Sequence, residues 1–334
     1  MAHRGPQAMK ALVTGASGFV GSHLVERLLG EGAQVACLAR AGSDLARLAE
    51  AGAAVIRPDW EDPAALARAT DGADVVFHAA GLTRGRSAGE YMAANAAVTA
   101  RLVQAAASAG VGRFVYVSSL AAAGPNPSVA PLDESYLARP SDDYGRSKLA
   151  GEAIVLAASP ALPVTIVRPP AVYGPRDRNF LPLFRTARRW GVVPAIGGRE
   201  KLVSFVYAAD LAEGIRLAGM APAAAGQTYF LGSGTHSMGE VVAAMAAALG
   251  RPLRLLAVPK PLAFLAGEFG QLVWALTGRS QILSRRKIRD LLQPRWTCTW
   301  GKALRELNYQ PAFDLPAGMK QTVEWYVREG WIKA

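Results

Sequence analysis

Short runs of apolar residues recur along the first half of the chain. Each gives way to a glycine or proline turn and then to a segment with helical spacing. Lys10–Thr14, KALVT, predicts a buried strand, followed by GASGFVG and the helical pattern SHLVERLLGEG. Further strands are predicted at QVACLAR, AAVIRPD, ADVVFHAAG, RFVYVSSLAA and PVTIVRPPAVYG. Helices are predicted at PAALARAT, along an alanine-rich stretch from Tyr91 to Ala109, and across SDDYGRSKLAGE. Strands without polar alternation are buried on both faces, and strands alternating with helices build a parallel, doubly wound α/β sheet.

After Gly174 the pattern loosens into a basic, loop-rich stretch. VSFVYAADLAEGIRLA then returns as strand and helix, and GQTYFLG as another strand. SMGEVVAAMAAALG is a helix opened by Ser237, with Glu240 three residues on as a capping box. Lys302 to Trp331 reads as amphipathic and helical. With no repeat and no tether, the second region is expected to interleave with the first. The first domain is expected over 8–175 with 202–232 returning to it. A smaller domain is expected over 176–201 and 233–334.

The chain has 334 residues, 51% of them hydrophobic, enough for one large or two modest domains. Its net charge of +11 is unevenly placed. Residues 1–150 hold 14 Lys/Arg and 14 Asp/Glu, whereas 151–334 hold 23 and 12. Such asymmetry suits anionic ligands or an anionic membrane surface, or is simply a basic soluble surface. Nucleic acid is the partner least favoured, because no recognised binding motif accompanies the charge. The two cysteines, Cys37 and Cys298, have neither metal spacing nor a disulfide framework, so no metal is expected and a reducing, cytoplasmic setting is. MAHRGPQAMK has no apolar core of a signal peptide, and no uncharged apolar stretch is long enough to span a bilayer.

TGASGFVG carries glycines at 15, 18 and 21 between a strand and a helix, the context that a dinucleotide fingerprint requires. Gly15 allows the tight turn, Gly18 lets backbone approach a pyrophosphate, and Gly21 lets the helix pack close. With Ser17, Phe19 and Val20 at the helix N-terminus they form the candidate phosphate cradle. Arg40 ends the second strand, where an acid would bind the 2′-hydroxyl of NAD and an arginine suits the 2′-phosphate of NADP. Ser43 follows as a possible second donor. Asp59 and Trp60 end the third strand, where an adenine edge would lie, though Trp60 equally suits packing. Tyr144 and Lys148 stand four apart on one helix face, a spacing that places an ammonium beside a phenol. His78, inside a strand, reads as a core histidine.

These stretches together resemble the extended short-chain dehydrogenase/reductase superfamily, the NAD-dependent epimerase/dehydratases. The resemblance runs through TGASGFVG, VFHAAG (Val76–Gly81), YVSSLAAAG (Tyr116–Gly124), YGRSK (Tyr144–Lys148), RPPAVYGP (Arg168–Pro175) and SFVYAADLA (Ser204–Ala212). It implies a Rossmann domain with a smaller C-terminal substrate domain. It also implies a catalytic set in which Tyr144 exchanges a proton, Lys148 favours the phenolate and holds the nicotinamide ribose, and Ser119 binds the reacting oxygen, with Ser118 as its neighbouring alternative. The physics agrees, because a free phenol titrates near 10 and a nearby cation draws it toward working pH. The resemblance further places Ala79, Ala80 and Gly81 along the cofactor and Pro169 and Val172 near the nicotinamide. It offers Asn95 as an ordering group and Thr83 as a substrate contact. Dimers are common in the family, so a homodimer is compatible with the chain.

Two branches compete. RNFLP (Arg178–Pro182) resembles the segment that nucleotide-sugar epimerases and dehydratases turn toward a diphosphate. Their usual Arg-Asp pair is replaced here by Val203 and Ser204, and their usual tyrosine in the serine motif by Ala123. LARAGSDLARL, FVYAADLA and the tail ALRELNYQPAFDLPAGMKQTVEWYVREGWI are instead similar to 3β-hydroxysteroid dehydrogenase and dihydroflavonol reductase-like members. So is the apolar, then basic, Pro261–Leu292. That segment would be a helix of the substrate domain buried against its neighbours or covering an apolar substrate, or it would rest in a membrane interface, Phe264 and Trp274 inward and Arg285, Arg286 and Lys287 toward lipid phosphates. The expectation is an NADP-preferring oxidoreductase (NAD also allowed) acting on a carbonyl or hydroxyl of a sterol-, lipid- or flavonoid-like substrate. The alternatives are a nucleotide-sugar enzyme and, further off, a catalytically silent NADP-binding regulator.

Overall fold

A computed structural model describes residues 8–265, 267–268 and 285–333; for 285–287 only the backbone is described. The strands in chain order are β1 Lys10–Thr14, β2 Gln34–Leu38, β3 Ala54–Ile56, β4 Val75–His78, β5 Arg113–Val117, β6 Val164–Arg168, β7 Ala171–Tyr173, β8 Val192–Ile196, β9 Leu202–Tyr207, β10 Gln227–Phe230, β11 Gly234–Ser237, β12 Arg254–Val258 and β13 Arg295–Trp296. Seven of them form one sheet in the order β10-β6-β5-β4-β1-β2-β3. Every neighbouring pair in it is parallel. The chain reverses its direction of travel across the sheet between β1 and β4, the switch point where open α/β sheets hold ligands.

Strand side chains divide by parity between two cores. Val13, Phe77, Val115 and Val117 pack with helices Phe19–Gly30 and Ala208–Met220 on one face. Leu12, Val76, Phe114 and Tyr116 pack on the other with helices Val98–Ser108 and Asp143–Ala157. Full burial on both sides is why these strands carry no alternation in sequence.

The remaining strands build separate sheets. β9 is flanked by β11, β13 and β7, and β12 pairs β8 in parallel. PVTIVRPPAVYG, expected as one strand, is therefore two strands in different sheets. Pro169 and Pro170 lie between them, and proline has no N–H to offer a ladder. The stretch 202–232, expected to return whole to the first domain, divides: β9 lies in the second sheet, helix Ala208–Met220 packs on the first, and β10 edges it.

Two predicted helices are also interrupted. The alanine-rich stretch is α-helical over Ala88–Met92, a π-turn over Ala93–Ala97, and α-helical again over Val98–Ser108. The C-terminal stretch separates into Gly301–Leu307 and Leu315–Arg328. Between them Asn308 adopts a left-handed conformation with φ 51°, and the Asp210 carboxylate accepts from the N–H groups of Ala312 and Phe313. The Ser237–Glu240 capping box forms as expected. Trp274 and most of the apolar segment read as a possible membrane or substrate cover lie outside the described residues.

Candidate active site

The glycine loop closes on the end of β4. Gly15 has φ +72°, and a Cβ there would stand 2.6 Å from Ala80 N and 2.7 Å from Ala79 C. A Cβ on Gly21 would stand 2.2 Å from Gly15 O, so helix Phe19–Gly30 enters against the turn itself. Gly18 N–H bonds Gly15 O, and Ala80 N–H bonds Thr14 Oγ1 at 3.2 Å.

No side chain caps helix Phe19–Gly30, and its first turn holds no acid. Ser17 and Gly18 are exposed, with Phe19 and Val20 half-buried beside them. Half-buried Ala79 and Ala80 and exposed Gly81 extend the small-residue wall. Free N–H groups, positive potential and little side-chain bulk fit a dinucleotide pyrophosphate.

A buried polar chain runs behind this loop. His78 Nδ1 pairs with Thr14 Oγ1 at 2.7 Å and Nε2 with Thr99 Oγ1 at 2.9 Å, while Thr99 donates to Asn95 O at 2.7 Å. Burial, then the charge of Lys148, push His78 down to about 3, so the ring is neutral at pH 7. It is a fully buried histidine bonded at both nitrogens. Asn95 lies in the π-turn, accepts from Leu82 N at 2.6 Å, and donates to Leu82 O and Ser147 Oγ. It thus fastens the loop after β4 to the helix that carries Tyr144.

That helix, Asp143–Ala157, is capped by Asp142, which accepts from Gly145 N. Tyr144 is half-buried, its ring centroid 6.1 Å from that of Tyr91. Lys148 is 3% exposed. Its Nζ donates to Val117 O at 2.7 Å and stands 4.1 Å from the Tyr116 ring centroid. Burial drives its ammonium down to about 7, against an upward pull from Glu152. Gly81 lies opposite: a Cβ built there would be 3.7 Å from Lys148 Nζ. Ser119 caps the short helix Leu120–Ala123 by accepting from Ala121 N. The Leu120 N–H bonds Pro169 O at 2.8 Å. A Cβ on Gly145 would lie 2.3 Å from Ala121 O, so the Tyr144 turn packs directly onto the Ser119 turn. The ends of β4, β5 and β6 thereby meet the Tyr144–Lys148 turn at the head of the sheet.

The other candidate residues spread along the same edge. Arg40 is exposed just past β2, and its carbonyl accepts from Ser43 N. Arg57, absent from the sequence reading, donates to Ser43 O at 3.1 Å and brings a second guanidinium to that turn. Its place directly after β3 was the available signal. Asp59 is exposed and accepts from Glu61 N. Trp60 packs partly buried on the core that holds Leu12, Val76 and Phe114. Pro169 is buried and Val172 half-buried. Thr83 is exposed, and its carbonyl accepts from Tyr91 Oη. Ser118, the alternative to Ser119, instead turns its hydroxyl to Glu152. Gly145, Glu152 and Tyr91 also escaped the sequence reading. Only Gly145, inside YGRSK, carried a visible hint.

Known proteins match this arrangement. Residues 11–232 match the model of the NAD dependent epimerase/dehydratase family. The ceramide reductase of Caulobacter vibrioides is 31% identical over 96% of this chain and 95% of its own. The 3 beta-hydroxysteroid dehydrogenase/Delta 5-->4-isomerase of Mycobacterium tuberculosis is 29% identical over 95% of this chain and 90% of its own. The structure of MoeE5 in complex with UDP-glucuronic acid and NAD superposes with a TM-score of 0.76 at 26% identity, covering 96% of this chain and 99% of that one. With its parallel seven-stranded sheet and glycine-turn crevice, the chain belongs to the NAD dependent epimerase/dehydratase family, the extended short-chain dehydrogenase/reductase enzymes.

Proposed function

We propose that this enzyme is an oxidoreductase that exchanges hydride between a nicotinamide and a carbonyl or hydroxyl carbon of an apolar, sterol-, lipid- or flavonoid-like substrate. The observation that carries the reading is the Tyr144–Lys148 turn, packed against the Ser119 turn through Gly145, with the Lys148 amine buried beside it. Gly15, Ser17, Gly18, Phe19 and Val20 would hold the pyrophosphate, Asp59 and Trp60 the adenine side, and Ala79, Ala80, Gly81, Pro169 and Val172 the nicotinamide side. When bound, the nicotinamide supplies the hydride donor or acceptor. Tyr144 moves the proton at the substrate oxygen, Ser119 hydrogen-bonds that oxygen, and Lys148 stabilises the phenolate and holds the cofactor's ribose. Arg40, with Arg57 behind Ser43, supports a preference for NADP, since two guanidiniums suit a 2′-phosphate.

The lipid and steroid names of the two relatives favour the apolar substrate, as does the replacement of the sugar branch's Arg-Asp pair by Val203 and Ser204. The nucleotide-sugar reading draws on MoeE5 and on Asn179 in RNFLP, whose Oδ1 accepts from Arg84 at 2.6 Å across from the loop after β4. A panel of ketones and alcohols, sterols included, followed by nicotinamide absorbance beside nucleotide sugars assayed for epimerised or dehydrated product decides between them. Turnover of ketones or alcohols is expected. Reaction with nucleotide sugars alone overturns it, and cofactor binding with no turnover of either class leaves a silent regulator.

We propose a cytoplasmic enzyme that rests against membranes peripherally. No helix among the described residues is long and apolar enough to cross a bilayer. Leu256, Leu262 and Leu265 are 57%, 57% and 64% exposed, near exposed Arg254 and Lys260. Co-sedimentation with anionic but not neutral vesicles is expected. A homodimer is proposed as the solution state, to be read by light scattering.

A further inference from the structure

Behind the Tyr144–Lys148 turn lies a buried charge that the reaction scheme does not use. Glu152 is 2% exposed and stands four residues beyond Lys148, on the same helix face. Its Oε1 accepts from Ser118 Oγ and from Arg168 Nε at 2.9 Å, and its Oε2 accepts from Arg168 Nη2 at 2.6 Å. The Arg168 side chain is itself only 9% exposed. Ser118 immediately precedes Ser119, and Arg168 immediately precedes Pro169. One carboxylate therefore ties together the ends of β5 and β6 and the helix of Tyr144. Arg168 pairs with this buried anion directly, and Lys148, one helical turn away, feels its charge.

We propose that Glu152 is a positioning residue for the Tyr144–Lys148 pair, keeping Lys148 an ammonium while fixing the strand ends on either side of it through Ser118 and Arg168. The inference rests on the catalytic reading of Tyr144 and Lys148. The groups facing Lys148 leave this task to Glu152. His78 from β4 is neutral, Asn95 from the π-turn carries no charge, and Tyr116 from β5 is held protonated by burial. Arg168 from β6 is a like charge, and Tyr144 on its own helix is its reaction partner. Glu152 is the carboxylate that raises the proton affinity of Lys148, opposing the burial that lowers it. A single neighbouring charge shifts such a group by roughly 1 to 3 pH units.

The test is a pH titration of protein carrying 13C-labelled lysine, read at the lysine Cε by NMR without cofactor. The chain holds only eight lysines, and Lys148→Met assigns the signal. In Glu152→Gln the Lys148 midpoint is expected to fall by roughly one unit or more. Removing the like charge as well, in Glu152→Gln/Arg168→Gln, should bring it back up, an outcome that loss of packing alone would not produce. Glu152→Asp, which keeps the charge, should stay near the parent value. An unmoved midpoint in Glu152→Gln overturns the proposal. If that variant fails to fold, Glu152→Gln/Arg168→Gln, which leaves no unpaired buried guanidinium, is compared with Arg168→Gln: a lower midpoint in the double variant supports the proposal and an equal one sinks it. Turnover of Tyr144→Phe is measured beside these. Full activity there would remove the catalytic reading, whereas an inactive Tyr144→Phe with an unmoved lysine midpoint would remove only the role of Glu152.

Discussion

The two halves of the molecule use close contact differently. Around the dinucleotide crevice, three glycines face backbone. Gly15 meets Ala79 and Ala80, Gly21 meets Gly15 O, and Gly145 meets Ala121 O, at 2.2 to 2.7 Å from where a Cβ would be. At Gly318 in the second half the close neighbour is a side chain. Gly318 faces the Tyr173 ring and hydroxyl, and that ring belongs to an aromatic cluster with Phe205 and Tyr207. Backbone fixed by its own hydrogen bonds has little freedom to step aside, whereas a packed ring can shift, at some cost. The crevice is thus the more tightly specified of the two regions.

The sharpest test removes one oxygen from the crevice. Tyr144→Phe should lower kcat by about 10²- to 10⁴-fold with the NADP dissociation constant little changed, measured by steady-state kinetics and fluorescence titration. Unchanged kcat would take Tyr144 out of the chemistry. Next, Gly15→Ala forces a side chain into a left-handed backbone and onto Ala80. A loss of about 1–3 kcal/mol in chemical denaturation is expected, together with weakened dinucleotide binding. The matching change in the other half, Gly318→Ala, should cost less and leave cofactor affinity alone; equal damage from both would dissolve the contrast.

Two subtler effects concern charge. His78 is held near 3 when folded against an ordinary 6.5, so below 6.5 the unfolded chain binds a proton that the folded chain refuses. The contribution of His78 to stability is therefore expected to be full above pH 6.5 and to decline as pH falls from 6.5 toward 3. His78→Gln should flatten that slope in urea melts; an equally steep slope would mean other groups cause it. Arg40→Asp should shift preference from NADP toward NAD by about tenfold or more, as a charge-assisted phosphate contact is replaced by repulsion. Retained NADP affinity would withdraw the 2′-phosphate assignment.

Much of the first half was legible because its signals are local. A strand buried on both faces is an apolar run, and the glycine turn is spelled out in TGASGFVG. The division of PVTIVRPPAVYG was legible in principle, since Pro169 and Pro170 mark where a ladder must stop. The second half was harder. β11, β12 and β13 are short strands that gain their identity only from partners distant in sequence. The chain from Thr14 through His78 and Thr99 to Asn95, and the tie from Glu152 to Arg168, depend on register between elements. A glutamate on a helix and an arginine ending a strand announce nothing until the fold brings them together.

The π-turn at Ala93–Ala97 makes chain length, rather than chemistry, the constraint on that helix. Its alanines look interchangeable, yet the turn accommodates one residue more than an α-helix would. Deleting any one of them would rewind the segment and swing everything upstream by about 100° about the axis. Tyr91 would be carried away from Tyr144, so a single-codon deletion here should do more harm than several substitutions.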